Sequence, residues 1–227
     1  MRIHAIQTGS FITKQSFRLG KGRGRLRLVN MFLDRAWTEP LPYYNWVIEH
    51  PEGVILIDTG ETVRALQPDY YPALNRFFIQ QNTRIFVQPE DEIGPQLQTL
   101  GFKPGDVRWV ILTHMHQDHV GGLRYFPKAE FLVSRTEYEA TQTRMGRMMQ
   151  GYMPQNWPEW FAPRLIDYRP ESIGPFPQSF ALTRAGDMHF VPTEGHSLGH
   201  MSVCHSDTTR QDVLFCRRCV IQSATYA

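Results

Sequence analysis

The chain has 227 residues, 41% of them hydrophobic and 20% charged, a composition typical of a globular protein with a substantial core. A single domain covering residues 1–227 is predicted, and the apolar runs are too short to span a bilayer. The formal net charge of +2 gives no indication of a nucleic-acid partner, and none is predicted.

The amino terminus and the cysteines bear on the cellular compartment. The chain does not open with a charged start, an apolar centre and a small-residue cleavage site, so no signal peptide is predicted. The cysteines, Cys204, Cys216 and Cys219, are odd in number and lie near the end of the chain, which does not match a disulfide framework. We therefore expect a cytoplasmic protein with reduced thiols.

The first part of the chain predicts strands. Alternation over residues 2–8 predicts a first strand, and residues 45–50 and 54–58 predict a hairpin. Between them, residues 17–28 carry five basic side chains among glycines. We interpret this segment as a solvated excursion, because aromatic residues do not interleave with the basic ones; a patch for an anionic partner is the alternative.

Helices and strands alternate in the rest of the chain. Residues 68–90 predict an irregular or helical cover, and residues 92–100 predict a short amphipathic helix ended by Gly101. Ser134 and Glu137 have the spacing of a capping box for a helix that runs to about residue 143. Strands are predicted at residues 107–112, 130–133, 180–183, 189–192, 201–205 and 213–215. This order predicts a layered α/β fold.

The segment from His114 to His119 has the pattern H-x-H-x-D-H and directly follows a predicted strand. In extended backbone, residues i and i+2 point to the same side, so His114 and His116 can bind one ion. Asp118 and His119 lie at the following turn and can reach a second ion, about 3.5–4 Å away in most two-metal hydrolases. Imidazole and carboxylate suit zinc, so two divalent ions, with zinc as the expected metal, are the predicted cofactors.

Residues 145–163 are rich in methionine and tryptophan and are interrupted by prolines. One interpretation is a lid that accepts an apolar part of a substrate, because methionine and tryptophan suit an adaptable pocket. The other is ordinary core packing, and composition does not separate the two. The candidate pocket residues are Met145, Met149, Trp157, Trp160 and Phe161.

Three motifs in order along the chain resemble a known family. They are the strand ending in Asp58-Thr59-Gly60, the H-x-H-x-D-H segment, and residues 193–200, T-E-G-H-S-L-G-H. Together they resemble the metallo-β-lactamase superfamily, and within it the N-acyl-homoserine lactonase-like hydrolases. Glu194 stands where this family usually has proline.

The resemblance implies a four-layer αβ/βα sandwich with the metals at one edge between two sheets. It implies that His196 is the third ligand of the first ion and that His200 has a structural role in its loop. Asp58, which can cap its own turn, would also orient a metal-binding histidine.

The resemblance also implies a reaction. A water activated by two ions would open a lactone ring of the N-acyl-homoserine type, and Asp118 would handle the proton delivered to the leaving oxygen. The implied partner is therefore a small molecule with a lactone or ester group. Other esters, thioesters and β-lactams are alternatives on the same fold.

The chain departs from the family pattern after residue 215. The family has a later bridging aspartate and a further histidine, but Arg218 stands at the expected aspartate position and no histidine follows His205. A guanidinium has no lone pair to offer a metal. We therefore expect the domain to lack its C-terminal portion, with residues 216–227 an aberrant tail.

A frameshift is our hypothesis for this tail. Codons permitted for residues 216–223 include a set whose next frame encodes Ala-Gly-Asp-Ala-Ser-Tyr-Ser, which contains a Gly-Asp pair. Coding DNA whose shifted frame lacks the Gly-Asp pair would contradict the hypothesis. The alternatives are a genuine Cys216-x-x-Cys219 motif, for which one pair is weak evidence, and a catalytically inactive remnant that binds one metal at most.

Overall fold

The computed structural model describes residues 1–19, 33–207 and 210–215. Most of the basic segment 17–28 and the whole of residues 216–227 therefore lie outside the described residues, as do the predictions about them. The strands are β1 (Arg2–Thr13), β2 (Leu41–His50), β3 (Gly53–Ile57), β4 (Thr83–Phe86), β5 (Val107–Ile111), β6 (Glu130–Ser134), β7 (Arg164–Ile166), β8 (Phe180–Ala181), β9 (Met188–Pro192), β10 (Met201–Asp207) and β11 (Arg210–Phe215).

These strands form two sheets. The large sheet has seven strands in the order β4-β1-β2-β3-β5-β6-β7, and the small sheet has four in the order β11-β10-β9-β8. Strands β1, β2 and β3 pair antiparallel, whereas β3, β5, β6 and β7 are parallel. Because β3 and β5 are parallel neighbours, their carboxyl ends lie at one edge of the sheet, where the Asp58 turn and the histidine segment meet.

Some of the described α-helices cover one face of the large sheet. The described α-helices are α1 (Gln15–Leu19), α2 (Ala73–Asn82), α3 (Ile93–Thr99), α4 (Gln117–Val120), α5 (Arg135–Gln142) and α6 (Arg144–Gln150). Leu97 of α3 and Ala140 of α5 belong to one buried cluster with Leu56 and Val110 of the large sheet. In the residues that the structure describes, no helix is long and apolar enough to cross a membrane.

Alternation along the central strands separates two cores. Ile55 and Ile57 of β3 pack in a second cluster with residues from the small sheet, such as Phe190 and Val203, whereas Leu56 between them faces the helices. This alternation is the period of two that places successive side chains on opposite faces of a sheet. The large sheet is therefore apolar on both faces, one against helices and one against the small sheet.

The outer face of the small sheet has a different cover. Val191 and Cys204 pack there against Ile173 and Phe176, which belong to an irregular segment before β8. The described ranges thus supply a helical layer and two sheets, and in them the small sheet carries this segment rather than a helix.

Most predicted elements are present, but several differ. Strand β7 and helix α6 were not predicted. The predicted first strand continues to Thr13 because it also pairs with β4, a strand that the sequence analysis did not predict within residues 68–90. The capping box was wrong. Helix α5 does begin after Ser134, but the Ser134 side chain makes no capping hydrogen bond, and Glu137 is completely buried with partners outside the helix.

Candidate metal centre

Three histidines converge at the edge where the two sheets meet. His114, His116 and His196 each offer a ring nitrogen, and these atoms lie within 4.8 Å of one another. Nδ1 of His116 is 3.0 Å from Nε2 of His196. Two nitrogens bound to one zinc ion at about 2.0–2.1 Å are separated by about 3.4 Å in tetrahedral geometry, so this spacing fits one ion.

The alternation of extended backbone delivers the first two ligands. His114 and His116 follow β5 with their rings 4.6 Å apart, and Met115 between them is completely buried in the helix-side core. His196 arrives from the small sheet, in the loop between β9 and β10. The amide of Met201 donates to the carbonyl of Thr113 at 2.9 Å, which ties the start of β10 to the segment after β5.

Asp118 and His119 lie on α4, next to the three histidines. The ring of His119 is 4.0 Å from that of His114, and its Nε2 is 3.5 Å from a carboxylate oxygen of Asp118. Two ligand atoms at this spacing suit a second ion. The structure therefore places all five predicted ligand residues close together, with His196 beside His114 and His116 as the resemblance implied.

Asp58 holds this arrangement from the end of β3. One carboxylate oxygen accepts from the Thr113 amide at 2.8 Å, and the other lies 2.7 Å from Nδ1 of His119. The Thr113 hydroxyl also donates to Asp58, at 2.8 Å. Asp58 has a positive φ of 60°, a conformation that costs energy for residues other than glycine and is best tolerated by Asp and Asn. A strained backbone thus turns this carboxylate toward the histidine segment.

The turn after Asp58 packs closely on the turn after His119. The Thr59 amide and hydroxyl both donate to the His119 carbonyl, at 2.8 and 2.9 Å. A Cβ on Gly121 would lie 2.6 Å from the Gly60 carbonyl oxygen, and one on Gly122 would lie 2.5 Å from the Thr59 carbonyl oxygen. Glycine is therefore needed at positions 121 and 122, because a larger residue would collide with the backbone of the turn after Asp58.

Glu61 is a buried carboxyl beside the centre. Its Oε1 accepts from the Thr62 amide at 3.0 Å and from the Gln117 side chain at 3.4 Å. Burial, reinforced by the negative charge of Asp118, raises the pKa of Glu61 to about 8. Glu61 directly follows the Asp-Thr-Gly turn but was not predicted as a site residue.

His200 is buried within its own loop. Its Nδ1 is 2.9 Å from the Thr193 hydroxyl, which also bonds the Ser202 hydroxyl at 2.8 Å. Its ring is 5.1 Å from that of His114, but the group of convergent ligand atoms contains His196 and not His200. The structural role of His200 stays a prediction.

Glu137 is the principal site-associated residue that the sequence analysis misassigned. Its Oε1 accepts from the Met115 amide at 2.9 Å and from the Tyr152 hydroxyl at 2.8 Å. Its Oε2 accepts from the Gly199 amide at 2.9 Å. Burial, followed by the charge of Glu137, raises the pKa of Tyr152. Only the folded structure brings these groups together, because they are distant in sequence.

The predicted pocket residues separate into two sets. Phe161 is 8% exposed and packs with Trp157, which stacks on Tyr138, in the helix-side core. Met145 and Trp160 are 65% and 44% exposed, and the side chain of Met149 is outside what the structure describes. Trp157 and Phe161 therefore occupy core positions, while a pocket role for the exposed residues stays a prediction.

The residues present fit a divalent metal. Three imidazole nitrogens in one small volume form the donor set of catalytic zinc sites with three protein ligands and an open position. The bond between His119 and Asp58 is the carboxylate–histidine pairing that fixes the tautomer of a metal-binding imidazole. The ligand types and the Asp58 contact that orients His119 both indicate a metal site.

Residues 38–216 match the model of the metallo-β-lactamase superfamily, and the chain belongs to this family. It is 34% identical over 181 residues to an N-acyl homoserine lactonase of a Bacillus species, covering 77% of this chain and 62% of that protein. It is 30% identical to the N-acyl homoserine lactonase AiiA of Bacillus thuringiensis subsp. kurstaki, with the same coverage. The chain thus spans 62% of the length of these curated relatives.

Solved structures agree on the fold. An N-acyl homoserine lactone hydrolase with N-hexanoyl-L-homoserine at its catalytic metal centre superposes with a TM-score of 0.69 at 24% identity, covering 91% of this chain and 71% of that one. A probable metal-dependent hydrolase from Staphylococcus aureus gives a TM-score of 0.65 at 19% identity, covering 93% and 71%. The predicted metallo-β-lactamase-type fold is confirmed.

Proposed function

We propose that the protein is a metal-dependent hydrolase that opens the ring of N-acyl-homoserine lactones and so acts in quorum quenching. The observation that carries this proposal is the convergence of His114, His116 and His196 beside Asp118 and His119. The relatives named N-acyl homoserine lactonase support the substrate class. The alternative substrates, which are other esters, thioesters and β-lactams, share the chemistry of an attacked carbonyl.

His114, His116 and His196 would hold one ion, and Asp118 with His119 would hold a second, with zinc the expected metal for this donor set. When bound, such ions acidify water and polarise a carbonyl oxygen. Asp58 fixes the tautomer of His119 so that Nε2 is the nitrogen that binds. The Asp118 carboxylate, on the same short helix, would take a proton from the attacking water and pass it to the ring oxygen as that oxygen leaves.

Glu61 lies close enough to Asp118 to respond to its charge, and it accepts from the Gln117 side chain at 3.4 Å. Burial and the negative charge of Asp118 raise the pKa of the Glu61 carboxyl to about 8, so Glu61 is neutral below that pH. A second full negative charge beside Asp118 is thereby avoided, which keeps the Asp118 carboxylate suited to a cation and to proton transfer.

The test is turnover of defined substrates by the metal-loaded protein. We expect the protein to open the ring of N-acyl-homoserine lactones, as measured by chromatography. We expect no turnover of β-lactams or glutathione thioesters. Removal of metal by a chelator should abolish the activity, and added Zn²⁺ should restore it. Turnover of thioesters or β-lactams without turnover of lactones would contradict the lactonase assignment but not the fold.

Two histidine variants locate the site. His196→Ala removes one of three converging ligands and should weaken metal binding on the order of 100-fold or more. His189→Ala is the matched control, because His189 lies on the neighbouring strand β9 and bonds only the Gly186 carbonyl among the contacts described for it. Equal metal affinity for both variants would contradict the proposed site.

Metal content separates the lactonase from its main alternative. Two ions per chain would support the two-metal hydrolase. One ion per chain without turnover would favour the inactive, mononuclear form, which is suggested by Arg218 at the position of the family aspartate.

A further inference from the structure

We infer that Glu137 is a positioning residue that sets the distance between the two halves of the metal centre. The inference rests on the metal site of the proposed function and deepens it. One half, His114 and His116, follows β5 of the large sheet. The other half, His196, lies in the loop between β9 and β10 of the small sheet. A single buried carboxylate connects the two backbones that carry them.

The backbone amides that donate to Glu137 lie close to the histidine ligands along the chain. The Met115 amide, which donates to Oε1, lies between the two histidines of the large sheet. The Gly199 amide, which donates to Oε2, lies three residues after His196. Each oxygen thus accepts from the loop of a different sheet, so a shift of either loop breaks a buried hydrogen bond.

Gly199 shows that the fit is close. A Cβ at this position would lie 2.3 Å from the backbone nitrogen of Glu137 and 2.8 Å from its Cα. The loop carrying His196 therefore rests directly on the first turn of α5. In this contact Glu137 supplies both the surface and the hydrogen-bond acceptor.

Tyr152 completes the arrangement from the segment after α6. Its hydroxyl donates to Oε1 of Glu137, and its ring centre is 5.6 Å from that of His116. Tyr152 is 2% exposed, so it closes the carboxylate off from solvent on this side. Glu137 therefore accepts hydrogen bonds from three separate segments that surround the histidines.

The role is positioning because other contacts already hold the two sheets together. Ile57 and Ile111 of the large sheet pack on Phe190 and Met201 of the small sheet in a buried cluster. Loss of the Glu137 contacts would leave this cluster and the Met201–Thr113 backbone bond intact while removing the contacts nearest to the ligands, at Met115 and Gly199. Metal affinity should then fall more than stability.

The experiment compares Glu137→Gln with Glu139→Gln. Glutamine keeps the shape of Glu137, but only its oxygen can accept, so either the Met115 amide or the Gly199 amide loses its acceptor and faces an NH2 group instead. Glu139 is exposed on the same helix and pairs only weakly with Arg135, at 3.9 Å, which makes it the matched control. Metal affinity is measured by chelator competition, and ligand geometry by the visible absorption of the Co²⁺-loaded protein.

We expect Glu137→Gln to weaken Co²⁺ and Zn²⁺ binding 10- to 100-fold, as for other groups that orient metal ligands, and to change the Co²⁺ spectrum. Glu139→Gln should change neither. Tyr152→Phe removes one of the three hydrogen bonds and keeps the carboxylate, so it should give a smaller loss of metal affinity. It also provides a test if Glu137→Gln does not fold.

Wild-type affinity and an unchanged spectrum in a folded Glu137→Gln protein would overturn the inference, even if its melting temperature fell. If Glu137→Gln does not fold, wild-type affinity and spectrum in Tyr152→Phe would overturn it. Failure of the wild-type chain to bind Co²⁺ or Zn²⁺ would instead contradict the metal site of the proposed function, so the two failures are distinguishable.

Discussion

Nδ1 of His119 lies 2.7 Å from a carboxylate oxygen of Asp58, across the turn that joins β3 to the helical cover. The same carboxylate accepts from the amide and hydroxyl of Thr113, immediately before the first histidine of the motif. Asp58 thus fixes both the protonated nitrogen of one candidate ligand and the backbone that leads to another.

Asp58→Asn tests this relationship with little change in shape. Asparagine tolerates the positive φ at this position, so the backbone should be retained. Its amide can still accept from Thr113 but cannot satisfy both oxygen contacts, and His119 would lose the carboxylate that fixes its tautomer. We expect metal affinity to fall about 10- to 100-fold, measured by chelator competition. Asp167→Asn, at an exposed carboxylate that pairs with Arg135, is the control and should have no effect.

Glu61 predicts an unusual pH dependence for the metal-free protein. Because burial raises its pKa from 4.5 to about 8, the folded state binds a proton that the unfolded chain has lost between these values. This group therefore lowers the free energy of unfolding as pH rises from about 4.5 to 8, by up to about 1.4 kcal/mol per pH unit.

Denaturant titrations at several pH values measure this effect. Glu61→Gln keeps a neutral amide in the same place, so the variant should show a flatter profile across that range. Glu90→Gln, at an exposed residue, should follow the wild-type profile. Parallel profiles for wild type and Glu61→Gln would show that ionisation of Glu61 does not control this dependence.

Gly199→Ala should be costly because of where its Cβ would lie. The added carbon would meet the backbone nitrogen of Glu137 at 2.3 Å, and backbone cannot rotate away as a side chain can. We expect destabilisation by about 1–3 kcal/mol, the usual cost of overpacking, read from chemical denaturation. Gly105→Ala is the matched control, because no heavy atom lies within 4 Å of its added carbon. Similar stabilities for the two variants would mean that the His196 loop moves aside freely.

Two substitutions separate core from pocket in the Met- and Trp-rich segment. Phe161 is 8% exposed, with ring centres 5.1 Å from Phe131 and 5.3 Å from Trp157, so Phe161→Ala should cost about 3–5 kcal/mol of stability. Met145 is 65% exposed, and Met145→Ala should change stability by less than about 0.5 kcal/mol.

A substrate role for Met145 would appear in the kinetics instead. If Met145 contacts the acyl chain, Met145→Ala should raise KM for long-chain lactones more than for short-chain ones. An equal KM change for all chain lengths, or none, would leave Met145 as an exposed residue without a pocket role.

The sequence was informative where chemistry is carried by residues close together in the chain. The spacing of His114 and His116 predicted a shared side, and the structure places their rings 4.6 Å apart. The central strands β3 and β5 were predictable because they are apolar on both faces. His196 needed the family resemblance, since a single loop histidine has no local ligand spacing.

The errors arose where a contact joins distant segments. Strand β4 has only four residues, and it was missed because its pairing partner is the far end of β1. Glu137 has the local spacing of a helix cap, but its partners are at positions 115, 152 and 199. Local propensity is a weak guide when tertiary contacts offer a buried carboxylate better partners than its own helix end.

The division of the three histidines between two sheets makes a bound ion a crosslink. A metal held by His114, His116 and His196 would oppose separation of the small sheet from the large one, because separation would break the coordination. By mass action the resistance to opening grows with metal concentration, by about 2.7 kcal/mol at 100 times the Kd. Metal supply would then set how long the chain survives proteases, independently of any substrate.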